Sequence, residues 1–514
     1  MTRYMLGIDV GTSGTKSLLV DESGAVAARA TAEYPIHSPR PLWTEQDPED
    51  WWRATVSTVR DVLAAAGAAG RDVASVGLTG QMHGMVLLDS EGEVLRPCIL
   101  WNDQRTGAEC AEITERVGAA RVIQLTGNPI LAGFTASKIT WTRRNEPEVL
   151  ARTAHWLLPK DFIRYRLTGE FVTEPSDASG TAFFDIKRRC WSEEMLEAVG
   201  MQPEWLPELA ESIDPSAKVN SGAAELLGLL EGTPVAGGGG DQAAQAVGMA
   251  IVSEGSVSAA MGTSSVLFAT SDECRVEPEG RLHTFCHAVP GKWALLGVVL
   301  SGGGSLRWYR DAFCAEECAS ARESGRDPYE VILEAAAEAP PGCEGLIFQP
   351  YLTGNRTPHG DSNARGTFFG LTLRHDRRFF TRAILEGVAY ALNDSLSIMR
   401  ELGLETSRIT ASGGGARSPL WRQILADVLQ ARIDMVNVDE GAAFGAALLG
   451  GVASGIYSDV QSAARAVVEQ TVSTPPGEAA GLYSEFYQRY RALYPALREE
   501  FLLLSEAVGR HQQS

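Results

Sequence analysis

The sequence predicts an α/β protein of two domains, residues 1–250 and 251–514. Three observations predict it. β-type runs and helical periodicities alternate along all 514 residues, a mixture that requires sheets covered by helices. The length is well beyond the roughly 150 residues of one ordinary core, so the chain must divide. A device at the start of the chain also recurs in its second half. Two β-rich runs between Tyr4 and Val20 flank a turn of Gly, Ser and Thr, a hairpin pattern. Ser258 to Phe268 echoes Ile8 to Leu18, with Gly262-Thr263-Ser264 aligned on Gly11-Thr12-Ser13. Ile409 to Gly415 then echoes the strand and glycine turn of Val73 to Gly80. A period near 250 residues is too long for a solenoid and points to duplicated domains.

The elements follow in order. After the first hairpin, Asp47-Pro48-Glu49-Asp50 supplies an N-cap, a Pro at the first helical position and acids in the first turn. Trp52, Val56, Val59, Val62 and Leu63 continue at helical spacing. Val73 to Leu78 is a short strand ending at Gly80. The domain boundary falls near residue 250, after Thr233-Pro234-Val235-Ala236. In the second half a helix from about Thr381 to Leu402 is apolar on most faces, is expected to be buried, and has Gly403 as a C-cap. Ser418-Pro419 opens another, continued by Leu420, Ile424, Leu425 and Val428. Phe486, Tyr490, Leu493 and Leu497 mark a final amphipathic helix.

The chain is acidic, with 45 Lys and Arg against 65 Asp and Glu for a net charge of -20. That field disfavours nucleic acid and anionic lipid as partners. A bound nucleotide would have to be held by a local site. At 44% apolar and 21% charged the composition is that of a globular protein. Met1-Thr2-Arg3-Tyr4 enters a strand pattern without an apolar leader. The longest nearly apolar run, Ala442 to Ile456, is too short to span a bilayer. Of the 8 Cys only Cys314 and Cys318 lie close, without a second Cys/His pair, so reduced thiols are expected. A cytoplasmic location is the expectation.

Five segments carry residue types suited to chemistry. In Asp9-Val10-Gly11-Thr12-Ser13-Gly14-Thr15-Lys16 the glycines allow backbone amides to approach an anion, the hydroxyls add donors, and Lys16 adds charge. Asp9, ending a strand, can hold the water shell of Mg²⁺. Gly262-Thr263-Ser264 could grip the same nucleotide from its other side. Each triplet alone also reads as an ordinary hairpin turn. Neither is a Walker loop, because Lys16 precedes a strand rather than opening a helix. In Gly237-Gly238-Gly239-Gly240-Asp241-Gln242 an apolar strand enters four glycines, which implies a close approach of something to the backbone. Asp241 stands where an N-cap would stand. It is either that or a general base for a sugar hydroxyl. Thr79-Gly80-Gln81-Met82-His83-Gly84 and Trp101-Asn102-Asp103-Gln104-Arg105 mix aromatic or apolar walls with polar groups, which suits a polyol as well as it suits structural loops.

Taken with Leu158-Pro159-Lys160-Asp161 and Ser412-Gly413-Gly414-Gly415-Ala416-Arg417-Ser418, these segments resemble the FGGY carbohydrate kinase family in order and spacing, from the N-terminus to about Leu449. The Gln81-Met82-His83-Gly84 element and Tyr351-Leu352-Thr353-Gly354-Asn355-Arg356-Thr357-Pro358 most resemble the branch acting on the ketopentose D-xylulose. Gln242 departs from it, resembling the glycerol kinases instead. The resemblance implies two actin-like, ribonuclease-H-like domains around a deep cleft, and ATP with Mg²⁺ as phosphoryl donor. It implies Asp241 as catalytic base, and Gln81, Met82, His83, Trp101, Asp241 and Gln242 at the sugar. It implies Asp9 at the metal. Gly11, Thr12, Ser13, Lys16, Gly262, Thr263 and Gly303 fall at the phosphates, Gly414 and Ser418 toward the adenosine. A homodimer is an expected assembly. Ribulose, L-xylulose, a pentitol or glycerol as acceptor, a sugar sensor without catalysis, and an actin-like filament protein are the alternatives.

Overall fold

The computed structural model describes residues 3–438 and 441–512. The chain forms two compact units. The first comprises Met1–Ser253, Thr270–Ala294 and Glu440–Glu469, and the second Glu254–Ala269, Leu295–Asp439 and Gln470–Ser514.

The first unit is organised by one sheet. Strands β1 (Tyr4–Val10), β2 (Gly14–Asp21) and β3 (Val26–Glu33) form an antiparallel meander, and β5 (Val73–Gly80) lies parallel to β1 on its other side. Pro234–Val235 runs parallel to β5, and Ala217–Lys218 pairs antiparallel with it at the edge. Leu6, Ile8, Val10 and Leu78 have no exposed surface. Helix α1 (Pro48–Ala66) covers β2 and β3. Asp47 caps it, accepting from the Glu49 N–H at 3.0 Å, and Gly67 in left-handed backbone ends it. A two-residue strand β4 (Glu45–Gln46), just before that cap, pairs with Cys98–Ile99.

The register of β5 sets the site. Asp9 pairs with Thr79, and Gly239–Gly240 pairs parallel to the end of β5 with Gly239 opposite Thr79. Asp9 and Gly239 therefore flank Thr79 at the carboxyl ends of parallel strands, where α/β sheets bind ligands. The apolar run near residue 450 is the helix Gly441–Ala453, packed on β1, β5 and the helix Asp241–Gly248. Its backbone lies so close that a Cβ on Gly7 would stand 2.0 Å from the Ala443 carbonyl oxygen, and one on Gly445 would stand 1.8 Å from that of Ala244.

The second unit repeats this order. Val257–Met261 pairs antiparallel with Ser265–Ser271 and parallel with Arg408–Ser412, as β1 does with β2 and β5. Arg432–Val436 extends the parallel side, and Gln470–Thr474 closes it antiparallel. Trp293–Val299 adds to Ser265–Ser271, as β3 adds to β2. The helix Arg377–Glu401 is buried on nearly every face from Phe379 to Met399, with Gly403 in left-handed backbone two residues past its end. The last helix, Ala480–Gln512, turns inward the face marked by Phe486, Tyr490, Leu493 and Leu497, of which Tyr490 and Leu493 are buried and Phe486 and Leu497 partly buried. Tyr483, Tyr487, Tyr490 and Tyr494 are the buried ridge, and Tyr487 donates to Asp394 at 2.8 Å. Hydroxyl partners on the neighbouring helix decide the rotation. No described helix is long and apolar enough to cross a membrane.

Candidate active site

The first unit gathers Asp9, Gln81, Met82, His83, Trp101 and Asp241. Asp241 is the first residue of its helix, and Gly240 rather than Asp241 holds the cap position. The Asp241 carboxylate accepts from the Gln242 N–H at 2.7 Å. Burial pushes its pKa up to about 6, partly offset by that bond. Burial and the Asp241 carboxylate together push Asp9 up to about 7, with Lys16, opposite it in the hairpin, pulling down. Asp9 Oδ1 is buried and has no hydrogen-bond partner among the described residues.

The four glycines make room for neighbouring chain. A Cβ on Gly237 would stand 2.1 Å from the Glu211 carbonyl oxygen, and one on Gly238 would stand 2.2 Å from that of Leu78. At Gly240 the Met82 sulfur would lie at 3.0 Å, so the glycine seats Met82 against the residue before Asp241. A buried charge cluster braces the run. Arg164 donates to the Ala236 and Gly237 carbonyls at 2.6 and 2.5 Å, and the Gly240 N–H donates to Ser176 Oγ at 3.0 Å. Glu174 accepts from the Ser176 N–H and faces Lys160, which is also 2.7 Å from Asp161. The Lys160-Asp161 pair singled out in the sequence thus acts beneath the glycines.

His83 sits in left-handed backbone, φ +67°. Its carbonyl accepts from Lys138 Nζ at 2.7 Å and Thr135 Oγ1 at 3.1 Å. Lys138 also donates to the Ile99 carbonyl at 3.1 Å, two residues before Trp101, and burial lowers its pKa to about 7. The ring stacks on Phe134 at 4.4 Å, and its Nδ1 lies 2.6 Å from the Gly180 carbonyl oxygen. That oxygen can only accept, so Nδ1 carries the proton and Nε2 of the neutral ring is an acceptor. Trp101 is half-exposed, and its Nε1 donates to Thr12 Oγ1 at 3.0 Å. Gln81 is 2% exposed, and its amide donates to Gln46. Gln242 is partly buried beside Asp241.

In the β1–β2 turn the Gly11 N–H donates to the Gly14 carbonyl, and Ser13 is exposed. The remaining phosphate-type residues belong to the second unit. There Gly262, Thr263, Gly303, Gly414 and Ser418 line one cavity of about 900 Å³, ample for a nucleoside. The Gly303 and Gly304 N–H groups donate to the Gly262 and Thr263 carbonyls at 2.8 and 2.9 Å, tying the two turns together. A Cβ on Gly303 would stand 2.5 Å from the Gly262 carbonyl oxygen. Ser418 caps the helix Pro419–Leu429 through Trp421 N. Tyr329, Glu330 and Leu333, on the helix Pro328–Ala336, complete the wall.

Residues 4–248 match the N-terminal domain, and 257–454 the C-terminal domain, of the FGGY family of carbohydrate kinases. The chain belongs to that family. It is 39% identical to a xylulose kinase of Escherichia coli over 96% of this chain and 99% of the relative. It is 41% identical to a xylulose kinase of Klebsiella pneumoniae, over 87% and 89%. The solved xylulose kinase of Rhodospirillum rubrum superposes with a TM-score of 0.90 at 31% identity, over 97% and 100% of the two chains. The fold is the two-domain α/β fold of these sugar kinases, and the enzyme is an ATP-dependent carbohydrate kinase.

Sequence reasoning missed Gln46, Lys138, Phe134, Gly180 and the Tyr329 helix. Thr135 to Asn145 carries no strong apolar stripe, so nothing marked Lys138 as buried. Gln46 was legible only as the residue before a helix cap.

Proposed function

We propose that this kinase transfers the γ-phosphoryl group of ATP to D-xylulose, giving D-xylulose 5-phosphate and ADP, with Asp241 as general base. The observation that carries this reading is the Asp241 carboxylate, held near pKa 6 next to the Met82–Gly240 contact and on the same unit as the His83 loop. A base in that range is deprotonated at neutral pH yet basic enough to take a hydroxyl proton. The hydroxyl oxygen attacks the γ-phosphorus while its proton passes to Asp241. The bond to the β–γ bridging oxygen breaks, and its electron pair leaves on ADP. His83, through Nε2, accepts from a sugar hydroxyl, and Met82 and Trp101 supply apolar contact to its C–H face. Thr12, Ser13 and Lys16 stand on the phosphate side of the first unit. The cavity at Thr263, Gly303 and Gly414 takes the rest of the nucleotide.

Mg²⁺ fits the residues present. Asp9 Oδ1 lacks a partner among the described residues, and burial with the Asp241 carboxylate disfavours the Asp9 charge, which a cation would relieve. Among the described residues no three metal-type side chains converge, which suits an ion bound by one carboxylate, water and phosphate oxygens. When bound, it would offset phosphate charge.

The relatives named xylulose kinase support the choice of sugar, and Gln242 is the feature that points elsewhere. A coupled ADP-release assay across ketopentoses, pentitols, gluconate and glycerol tests it. The expected result is a kcat/KM for D-xylulose at least about tenfold above those for glycerol and gluconate. Equal or better turnover of glycerol would overturn the assignment.

A further inference from the structure

One buried amide joins the two sides of the acceptor site. Gln46 has no exposed surface, lies in β4, and stands immediately before the cap of α1. Its side chain touches four groups. Trp51 Nε1 lies 3.1 Å from Oε1, Gln81 Nε2 lies 2.9 Å from the same oxygen, and the carbonyls of Thr12 and Pro35 lie 2.7 and 3.4 Å from Nε2. The orientation follows from chemistry. An indole N–H only donates, so the atom facing Trp51 is the oxygen. The nitrogen then faces two carbonyls, which only accept. With Gln46 fixed, the Gln81 group facing its oxygen must be the donating NH₂. Both donors and both acceptor positions of the Gln46 amide are filled, and neither amide can flip without setting like groups against each other.

The connections run to functional segments. The Thr12 carbonyl belongs to the turn whose hydroxyl accepts from Trp101. Gln81 opens the loop carrying Met82 and His83, and its own N–H donates to the Val10 carbonyl at 2.9 Å. We infer that Gln46 is a positioning residue, holding the Gly11–Gly14 turn and the Gln81–His83 loop in fixed relation. Gln81 is then the second member of that strut through its side-chain NH₂, which donates to Gln46. Its Oε1 is buried and lacks a hydrogen-bond partner among the described residues. The inference rests on the proposed roles of those two segments.

A double-mutant cycle on the full-length enzyme tests it, with Gln46→Met, Gln81→Met and the pair, each near the parent volume. Wild-type turnover is measured first, and the cycle is run with whichever sugar the wild type phosphorylates, so an error in the acceptor assignment appears there and not in the cycle. Each single variant should lose at least fivefold in kcat/KM per folded enzyme, and the double variant should lose little more than Gln46→Met alone. Multiplicative losses within twofold, or unchanged kcat/KM in folded singles, would overturn the strut. A purely structural pair would couple in Tm and not in kcat/KM. If Gln46→Met fails to fold, Gln81→Met with hydrogen exchange decides. Exchange across residues 9–16 should rise severalfold in that variant, and an unchanged rate there would overturn the inference.

Discussion

The two units share a strand order and, under the proposed function, would bind by different means. In the first, side chains make the site: Asp9, Met82, His83, Trp101 and Asp241 stand on backbone held by buried charge and saturated amides. In the second, backbone makes it. Glycine turns at Gly262, Gly303 and Gly414 border a cavity, with carbonyls and N–H groups of one turn spent on the next. The proposed ligands account for the difference. A sugar is small and neutral, and it is told from other polyols by single hydroxyls, so each contact must be placed. A nucleotide is large, and its phosphates are held well by close-approaching main chain.

That contrast is sharpened most by Asp241→Asn, which keeps shape and removes basicity. Its kcat should fall about 10²–10⁴-fold while sugar affinity, measured by calorimetry, stays within about tenfold. A variant keeping more than about a tenth of wild-type kcat would assign the base to another group. The wild-type pH profile carries the same information. Asp241 must be deprotonated to act, and its pKa is raised to about 6. Activity is therefore retained above that value and lost below it, about tenfold for each unit of further acidification. A flat kcat/KM between pH 7 and 5 would break the link between this carboxylate and the chemistry.

Lys138→Met comes next. The substitution takes from the Ile99 carbonyl its Lys138 donor and from the His83 carbonyl the shorter of the bonds that Lys138 and Thr135 make to it. Losing buried partners costs about 1–3 kcal/mol, so kcat/KM for the sugar should drop roughly tenfold to a hundredfold. Parallel steady-state assays varying ATP check the other side, where KM should move less than about threefold.

Much of this was legible. The repeated hairpin showed in the aligned triplets because β-turn chemistry is local, and Asp241 showed because four glycines before an acid are hard to explain otherwise. The close approach that the glycines implied is made by Glu211, Leu78 and Met82 within the fold. Lys138 and Gln46 were hidden because their links to the Thr12 turn and the Gln81–His83 loop span 34 to 55 residues. The last helix was legible because Phe486, Tyr490, Leu493 and Leu497 recur at helical spacing, while the ridge of Tyr483, Tyr487 and Tyr494 beside them was not, because its hydroxyl partners lie far away in sequence.

The central claim of the proposed function is that the His83 loop of the first unit recognises the acceptor and the Gly262–Gly303–Gly414 cavity of the second takes the nucleoside end of ATP. It is tested most directly by determining both Michaelis constants in His83→Ala and Gly303→Ala side by side. The account predicts a crossed result. His83→Ala should raise KM for D-xylulose about tenfold and leave that for ATP within about threefold. Gly303→Ala, whose methyl would press on the Gly262 carbonyl, should do the reverse. Both constants rising together in both variants would contradict it.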